Sequence, residues 1–168
     1  FTGSAPESNN TVTTSVISTL PPYPDLVPIN PQVTPAVLQT GDTLSVAWLV
    51  RNVGTASASV DFVNRIRLIH RASNKTIADV TVPYSVTSGG TIGVGAERSL
   101  SHAVRVPDGS GSVGELDVVV TIDSTNTVFE LNGSGNAESN NEASTMATAS
   151  LAPYPDLAVS NVVAPTQT

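Results

Sequence analysis

The heptapeptide Leu20-Pro21-Pro22-Tyr23-Pro24-Asp25-Leu26 returns as Leu151-Ala152-Pro153-Tyr154-Pro155-Asp156-Leu157, 131 residues further along a chain of 168. Glu7-Ser8-Asn9-Asn10 returns as Glu138-Ser139-Asn140-Asn141 at the same spacing, and Asn30 as Asn161. Separate motifs that share one gapless offset mark an internal repeat, and a repeat governs every boundary drawn afterwards. A period this long exceeds a solenoid turn and fits a string of separate domains. The sequence is therefore expected to divide into residues 1–22, the tail of a preceding copy with its linker; residues 23–153, one complete copy; and residues 154–168, the start of a following copy. The stretch from Leu20 to Pro24 is expected to be a short, stiff linker, because Pro fixes its own φ and restricts the residue before it.

Within the complete copy, alternation sets the fold class. Leu44, Val46, Trp48 and Val50 point one way and Ser45, Ala47, Leu49 and Arg51 the other, which is a half-buried strand ending at Asn52-Val53-Gly54. Phe62, Ile66 and Leu68 mark a second strand with Arg65, Arg67 and Arg71 on its other face. Further strands are expected at 26–33, at 76–82 along an edge, at Leu100, Val104 and Val106, at Leu116, Val118, Val120 and Ile122, and at 143–151. Residues 87–95 read as a Gly-rich connection and Pro107-Asp108-Gly109 as a turn. About seven strands at this spacing, in a chain rich in Thr, Ser and Val, predict an all-β immunoglobulin-like or fibronectin-III-like sandwich of two antiparallel sheets.

Charge and residue types exclude several functions. Fourteen acidic against seven basic residues give a net charge of -7, opposed to the basic field that nucleic acid or an anionic membrane surface requires. No Cys is present, which removes thiol chemistry, disulfides and Cys-based zinc sites. No apolar run approaches the roughly 18 residues of a membrane span, so direct membrane insertion is not expected. No Gly-x-Ser-x-Gly elbow occurs, and the glycines at 89–95 lack the Lys and helix of a phosphate loop, so the chain is not read as an enzyme.

Tyr23-Pro24-Asp25-Leu26, Gln39-Thr40-Gly41-Asp42-Thr43-Leu44 and Val46-Ala47-Trp48-Leu49-Val50-Arg51-Asn52-Val53-Gly54 resemble the opening of CARDB domains, the cell-adhesion-related domains of bacteria. The run Val120-Thr121-Ile122-Asp123, Asn126, Val128 and Glu130, closing on Glu138-Ser139-Asn140-Asn141, resembles the end of the same family's pattern, so the resemblance spans about residues 23–151. It implies an immunoglobulin-like sandwich repeated along large secreted or surface-anchored bacterial adhesins, and hence an extracellular location. It implies no ligand.

Two clusters are candidate sites. Asp123, Asn126, Glu130, Glu138, Asn140 and Asn141 offer only oxygen donors of the type calcium takes, although no EF-hand loop is present. In a seven-strand sandwich the connection between the last two strands lies at the pole where the first begins. These residues are thus expected near Asp25, where a calcium ion held at about 10⁻⁴ to 10⁻³ M would stiffen the joint between domains. The bland alternative is ordinary turn chemistry and solvated carboxylates. The second cluster, Arg65, Arg67, Arg71 and Lys75, holds four of the seven basic residues. It reads either as a docking face for an acidic or polyanionic partner or as cations that keep sheets from associating. Trp48 is expected in the core, and His70 and His102 are not expected to share a metal.

The leading expectation is a structural extender, a stalk repeat projecting a distal binding domain from the cell surface. Its partners would be adjacent repeats of the same chain, and by itself it would be monomeric or form weak head-to-tail contacts through its unpaired flanks. The rival is a module that binds a glycan or protein through the Arg face or the loop at 83–95.

Overall fold

A computed structural model describes residues 11–162. The parts of the flanking segments at 1–10 and 163–168, with the first Glu-Ser-Asn-Asn motif, lie outside the described residues. The strands are β1 (Leu26–Thr34), β2 (Val37–Gln39), β3 (Thr43–Asn52), β4 (Phe62–His70), β5 (Lys75–Tyr84), β6 (Glu97–Arg105), β7 (Gly114–Thr121) and β8 (Glu142–Ser150), with one α-helical turn, α1 (Val86–Gly89), and two 3-10 turns at Ser110–Ser112 and Ala137–Ser139. They form two sheets, one in the order β1-β3-β6 and the other in the order β2-β8-β7-β4-β5. Every pairing is antiparallel except that of β2 with β8.

The alternation places the core between the sheets. Leu44, Val46, Trp48 and Val50 of β3, with Val104 of β6, line the inner face of one sheet, and Phe62, Ile66 and Leu68 of β4, with Leu116, Val118 and Val120 of β7, line that of the other; all are buried. Trp48 is thus a core residue. The inner face of β8 is made of Ala147 and Ala149, whose small side chains let that strand lie close to β1.

Two departures from the expected outline have local causes. The sandwich has an eighth strand, β2, which is only three residues long and pairs in parallel with Thr148, Ala149 and Ser150. A segment so short carries no periodicity to read. Within the Gly-rich connection, α1 begins where Asp61 accepts hydrogen bonds from the Val86 N–H (2.7 Å) and the Ser85 hydroxyl (3.1 Å). Downstream, Ile92 is fully buried and bridges to Ala58, and the Tyr84 hydroxyl donates to the Gly90 carbonyl, so this connection is fastened to the body.

The strands have a direction that matters for the joints. β1 begins beside the end of β3, with Leu26 opposite Asn52, and reaches the far side at Thr34, opposite Ser45. β8 begins at Glu142 opposite Thr121 and ends opposite Gly114. The chain therefore enters the sandwich at one pole and leaves at the other, here called the leading and trailing poles. Among the described residues, 11–22 and 151–162 belong to no strand.

Candidate functional site

The leading pole is organised around the incoming segment Tyr23–Leu26. Gly54 admits it: a Cβ on this residue would stand 2.5 Å from both the Asp25 nitrogen and the Tyr23 carbonyl oxygen. The Tyr23 carbonyl accepts from the Thr55 and Ala56 N–H groups (2.8 and 3.0 Å), and the Asp25 carbonyl from the Val53 N–H (2.7 Å). Asn52, fully buried at the end of β3, ties the pole together. Its Oδ1 accepts from the N–H groups of Asp25 (3.2 Å) and Gly54 (3.0 Å), and its Nδ2 donates to the carbonyls of Ala56 (2.7 Å) and Ile92 (2.9 Å).

The long connection from Asp123 to Asn141 closes over the same segment. Glu130 is only 1% exposed. One of its carboxylate oxygens accepts from the Leu26 N–H (2.6 Å) and the other from the Asn141 amide (2.8 Å). Both oxygens of buried Asp25 are also used, by the amides of Asn140 (2.9 Å) and Asn132 (2.7 Å). Glu138 accepts from the Glu130 N–H (2.8 Å). Burial pushes the Glu130 carboxyl up to about 7. The charges of Glu138 and Asp123 add to that shift, and the hydrogen bonds from Asn141 and Leu26 oppose it.

Of the residues singled out from sequence, Asp25, Glu130, Glu138, Asn140 and Asn141 thus meet at one pole, as the topology argument requires. Asp123 is buried but serves its own turn, accepting from the N–H groups of Thr127 (3.0 Å) and Val128 (2.7 Å) at a backbone φ of 41°. Asn126 sits exposed on that turn with φ 49°, its N–H donating to the Asp123 carbonyl (2.9 Å). Asn52, Asn132 and Thr55 were not singled out. Only the Asn-x-Gly pattern hinted at the first, because the pairing of residues so far apart in sequence is made by the fold.

The arrangement does not match a ready calcium cage. Asn132, Asn140 and Asn141 turn N–H groups toward the carboxylates, where a cation would need their oxygens. Among the described residues no three Asp, Glu or His side chains converge to hold a metal ion. The Oδ1 atoms of Asn140 and Asn141 are buried without a hydrogen-bond partner, so rotated amides are what a cation would call on.

The Arg cluster lies on the outer face of the larger sheet and is paired within the molecule. Arg65 bonds Asp79 through two nitrogens, Arg67 reaches Glu142 (2.6 Å), and Arg71 contacts Glu115 (3.2 Å) and Asp117 (3.0 Å). Lys75 begins the edge strand β5. His70 bonds Ser73 and the Val113 carbonyl, whereas His102 lies on β6 in the other sheet.

The match to the CARDB family model covers residues 23–145, most of the chain and all of the leading-pole network. The chain belongs to the CARDB family. This is a cell-adhesion-related, cell-surface-associated family of non-catalytic domains, and no helix among the described residues is long and apolar enough to cross a membrane. Among solved structures, the chain is similar to the CARDB domain of the PF1109 protein from Pyrococcus furiosus, a crystal structure in complex with di-metal ions, at 22% identity and TM-score 0.53. That match covers 80% of this chain and 100% of the other. The solution NMR structure of the same domain matches at 21% identity and TM-score 0.50, covering 77% and 98%. At these identities the likeness establishes the CARDB sandwich. A comparison with curated proteins finds no match.

Proposed function

We propose that this CARDB domain is an extender repeat of a secreted bacterial surface protein, one unit of a stalk that holds a distal binding domain away from the cell. The observation that carries the reading is the polarity of the sandwich. The chain enters at one pole, is held there by backbone and buried side-chain bonds, and leaves at the other, so copies in series stack end to end. With strands of 9 to 10 residues, each unit adds about 30 Å along the strands. The tandem organisation has support at the trailing end. Leu157, the counterpart of the fully buried Leu26, is 90% exposed, and Asn161 repeats the left-handed backbone of Asn30 (φ 57° and 49°). A following copy would give Leu157 a core to enter.

In this reading the joint is stiffened by the hydrogen bonds that hold Tyr23–Leu26. Calcium at Asp25, Glu130, Glu138, Asn140 and Asn141, with Asp123 and Asn126 on a turn of their own, is the second source of stiffness. Its support is the pair of unpartnered amide oxygens. A binding role for the Arg face has less support, because Arg65, Arg67 and Arg71 already hold carboxylates, and the loop at 83–95 is fastened down.

The core residues all lie between Leu26 and Ala149, so the unit is self-contained and can be duplicated. Small-angle scattering on two copies of residues 23–153 joined directly should give the profile of an extended rod. A flexible pair of beads would refute the stalk. Chelator that converts the rod to beads, reversed by calcium, would assign the stiffness to the cation; an unchanged profile would assign it to the protein bonds.

A further inference from the structure

The repeated motif supplies one tyrosine at each end of the complete copy, and the two make different contacts. Tyr23 touches the copy that follows it in sequence. Its carbonyl accepts from Thr55 and Ala56, its N–H donates to the Thr55 hydroxyl (3.3 Å), and its ring packs edge-on against Phe129 with centroids 5.1 Å apart. Among the described residues its hydroxyl has no hydrogen-bond partner. Tyr154 touches the copy that precedes it, and does so with that hydroxyl. The oxygen lies 3.2 Å from Asp108 Oδ1, 3.1 Å from the Gly109 nitrogen and 3.2 Å from Thr40 Oγ1.

The hydrogen-bond roles at this second site close without conflict. The phenol has one proton, which goes to the Asp108 carboxylate, so it accepts from the Gly109 N–H and the Thr40 hydroxyl. Thr40 in turn accepts from the Ala152 N–H (3.1 Å) and is itself buried, while Asp108 is also held by Arg105 (2.9 Å). The trailing pole therefore presents a fixed socket for a phenol hydroxyl, formed where the loop after β2 meets the turn after β6. The ring above it remains 49% exposed, and Phe129 at the leading pole is 64% exposed.

We propose that the tyrosine opening each copy is a two-sided rivet: its backbone and ring fasten to its own sandwich while its hydroxyl plugs the socket of the copy before it. The partner is a second copy of this repeat, and the interface is the trailing pole of one against the leading pole of the next. The two sets of contacts use different atoms, so one residue makes both at once. Because both ends of a single side chain are held, the joint loses its freedom to swivel at the position where a linker would be most mobile. The joints need not be identical, since Pro21 stands where Ala152 stands and has no N–H to give Thr40's counterpart. The hydroxyl socket does not depend on that bond. This inference rests on the extender reading and supplies its mechanical detail.

The test uses two copies of residues 23–153 joined directly, which places Tyr23 of the second copy after Pro153 as Tyr154 is here. In NMR relaxation the two domains of the wild-type tandem should share one rotational correlation time. Tyr23→Phe in the second copy should split it into two shorter ones, leaving each domain's unfolding midpoint unchanged, and Asp108→Ala in the first copy should loosen the joint from the other side. A Tyr23→Phe tandem that tumbles as rigidly as the wild type overturns the rivet and leaves the extender reading intact. A wild-type tandem whose domains already tumble independently overturns both.

Discussion

Glu130 occupies a position where water is excluded yet two other acidic groups, Glu138 and Asp123, come close. Its carboxylate holds the first backbone N–H of β1, so the register of the incoming strand depends on it. The cost is electrostatic, since burial pushes the carboxyl up to about 7 while an exposed glutamate in the unfolded chain titrates near 4.5. The folded protein therefore binds this proton more tightly than the unfolded one, and the group's contribution to stability is full below the unfolded value. It declines as pH rises toward the folded value and is flat beyond, a span of about 3 kcal/mol at roughly 1.4 kcal/mol per unit. Glu130→Gln should abolish this dependence. Its carbonyl still accepts from Leu26, and once the Asn141 side-chain amide turns over, its own amide can donate to Asn141 Oδ1, which otherwise lacks a partner. Unfolding midpoints should be nearly equal for the two proteins at about pH 4.5 and higher for the variant at about pH 8; parallel curves would contradict the assignment. Glu130→Ala should lower stability at every pH, because each donor left without an acceptor costs about 1–3 kcal/mol.

At the scale of elements, β4 illustrates how far alternation reaches. The inward residues Phe62, Ile66 and Leu68 announce themselves by period two, and the same period puts Arg65 and Arg67 together on the outer face. Their partners cannot be read from the chain, because Asp79 and Glu142 arrive on two other strands whose registers the fold decides. The hydrogen bond from Arg65 holds the Asp79 carboxyl below the usual carboxylate range. Both side chains are well exposed, so solvent screens the pair. Arg65→Ala should change stability by no more than about 1 kcal/mol, with the difference shrinking as salt is added. A larger, salt-independent loss in denaturant titrations would mean that the Arg stem, and not its charge, supports the sheet. The short strand β2 and the turn α1 escaped the sequence pattern for a related reason. Three or four residues are too few for a period, and both form because neighbours supply partners, the end of β8 for one and Asp61 for the other.

At the scale of the molecule, the flanks contribute little to the sandwich: residues 11–20 are exposed throughout and no described residue beyond 150 joins a strand. A protein trimmed to residues 23–154, which keeps the Tyr154 contacts, should therefore unfold at nearly the midpoint of the full chain, within about 0.5 kcal/mol of its stability. A substantial loss in thermal unfolding would show the flanks to be part of the folded unit. The amino-acid sequence by itself determined the strand faces, the all-β class and the 131-residue spacing, because side-chain alternation and motif repetition are local or linear properties of the chain. It also determined that oxygen-rich side chains would gather near Asp25, since strand order alone puts the last connection at the first pole. Tertiary structure decided what those side chains do there. Whether Asn140 offers Asp25 its N–H or its oxygen, and whether Glu130 meets a backbone donor, depends on angles and distances between segments about a hundred residues apart. The same holds for Tyr154, whose hydroxyl gains meaning only when Thr40, Asp108 and Gly109 are folded into one socket.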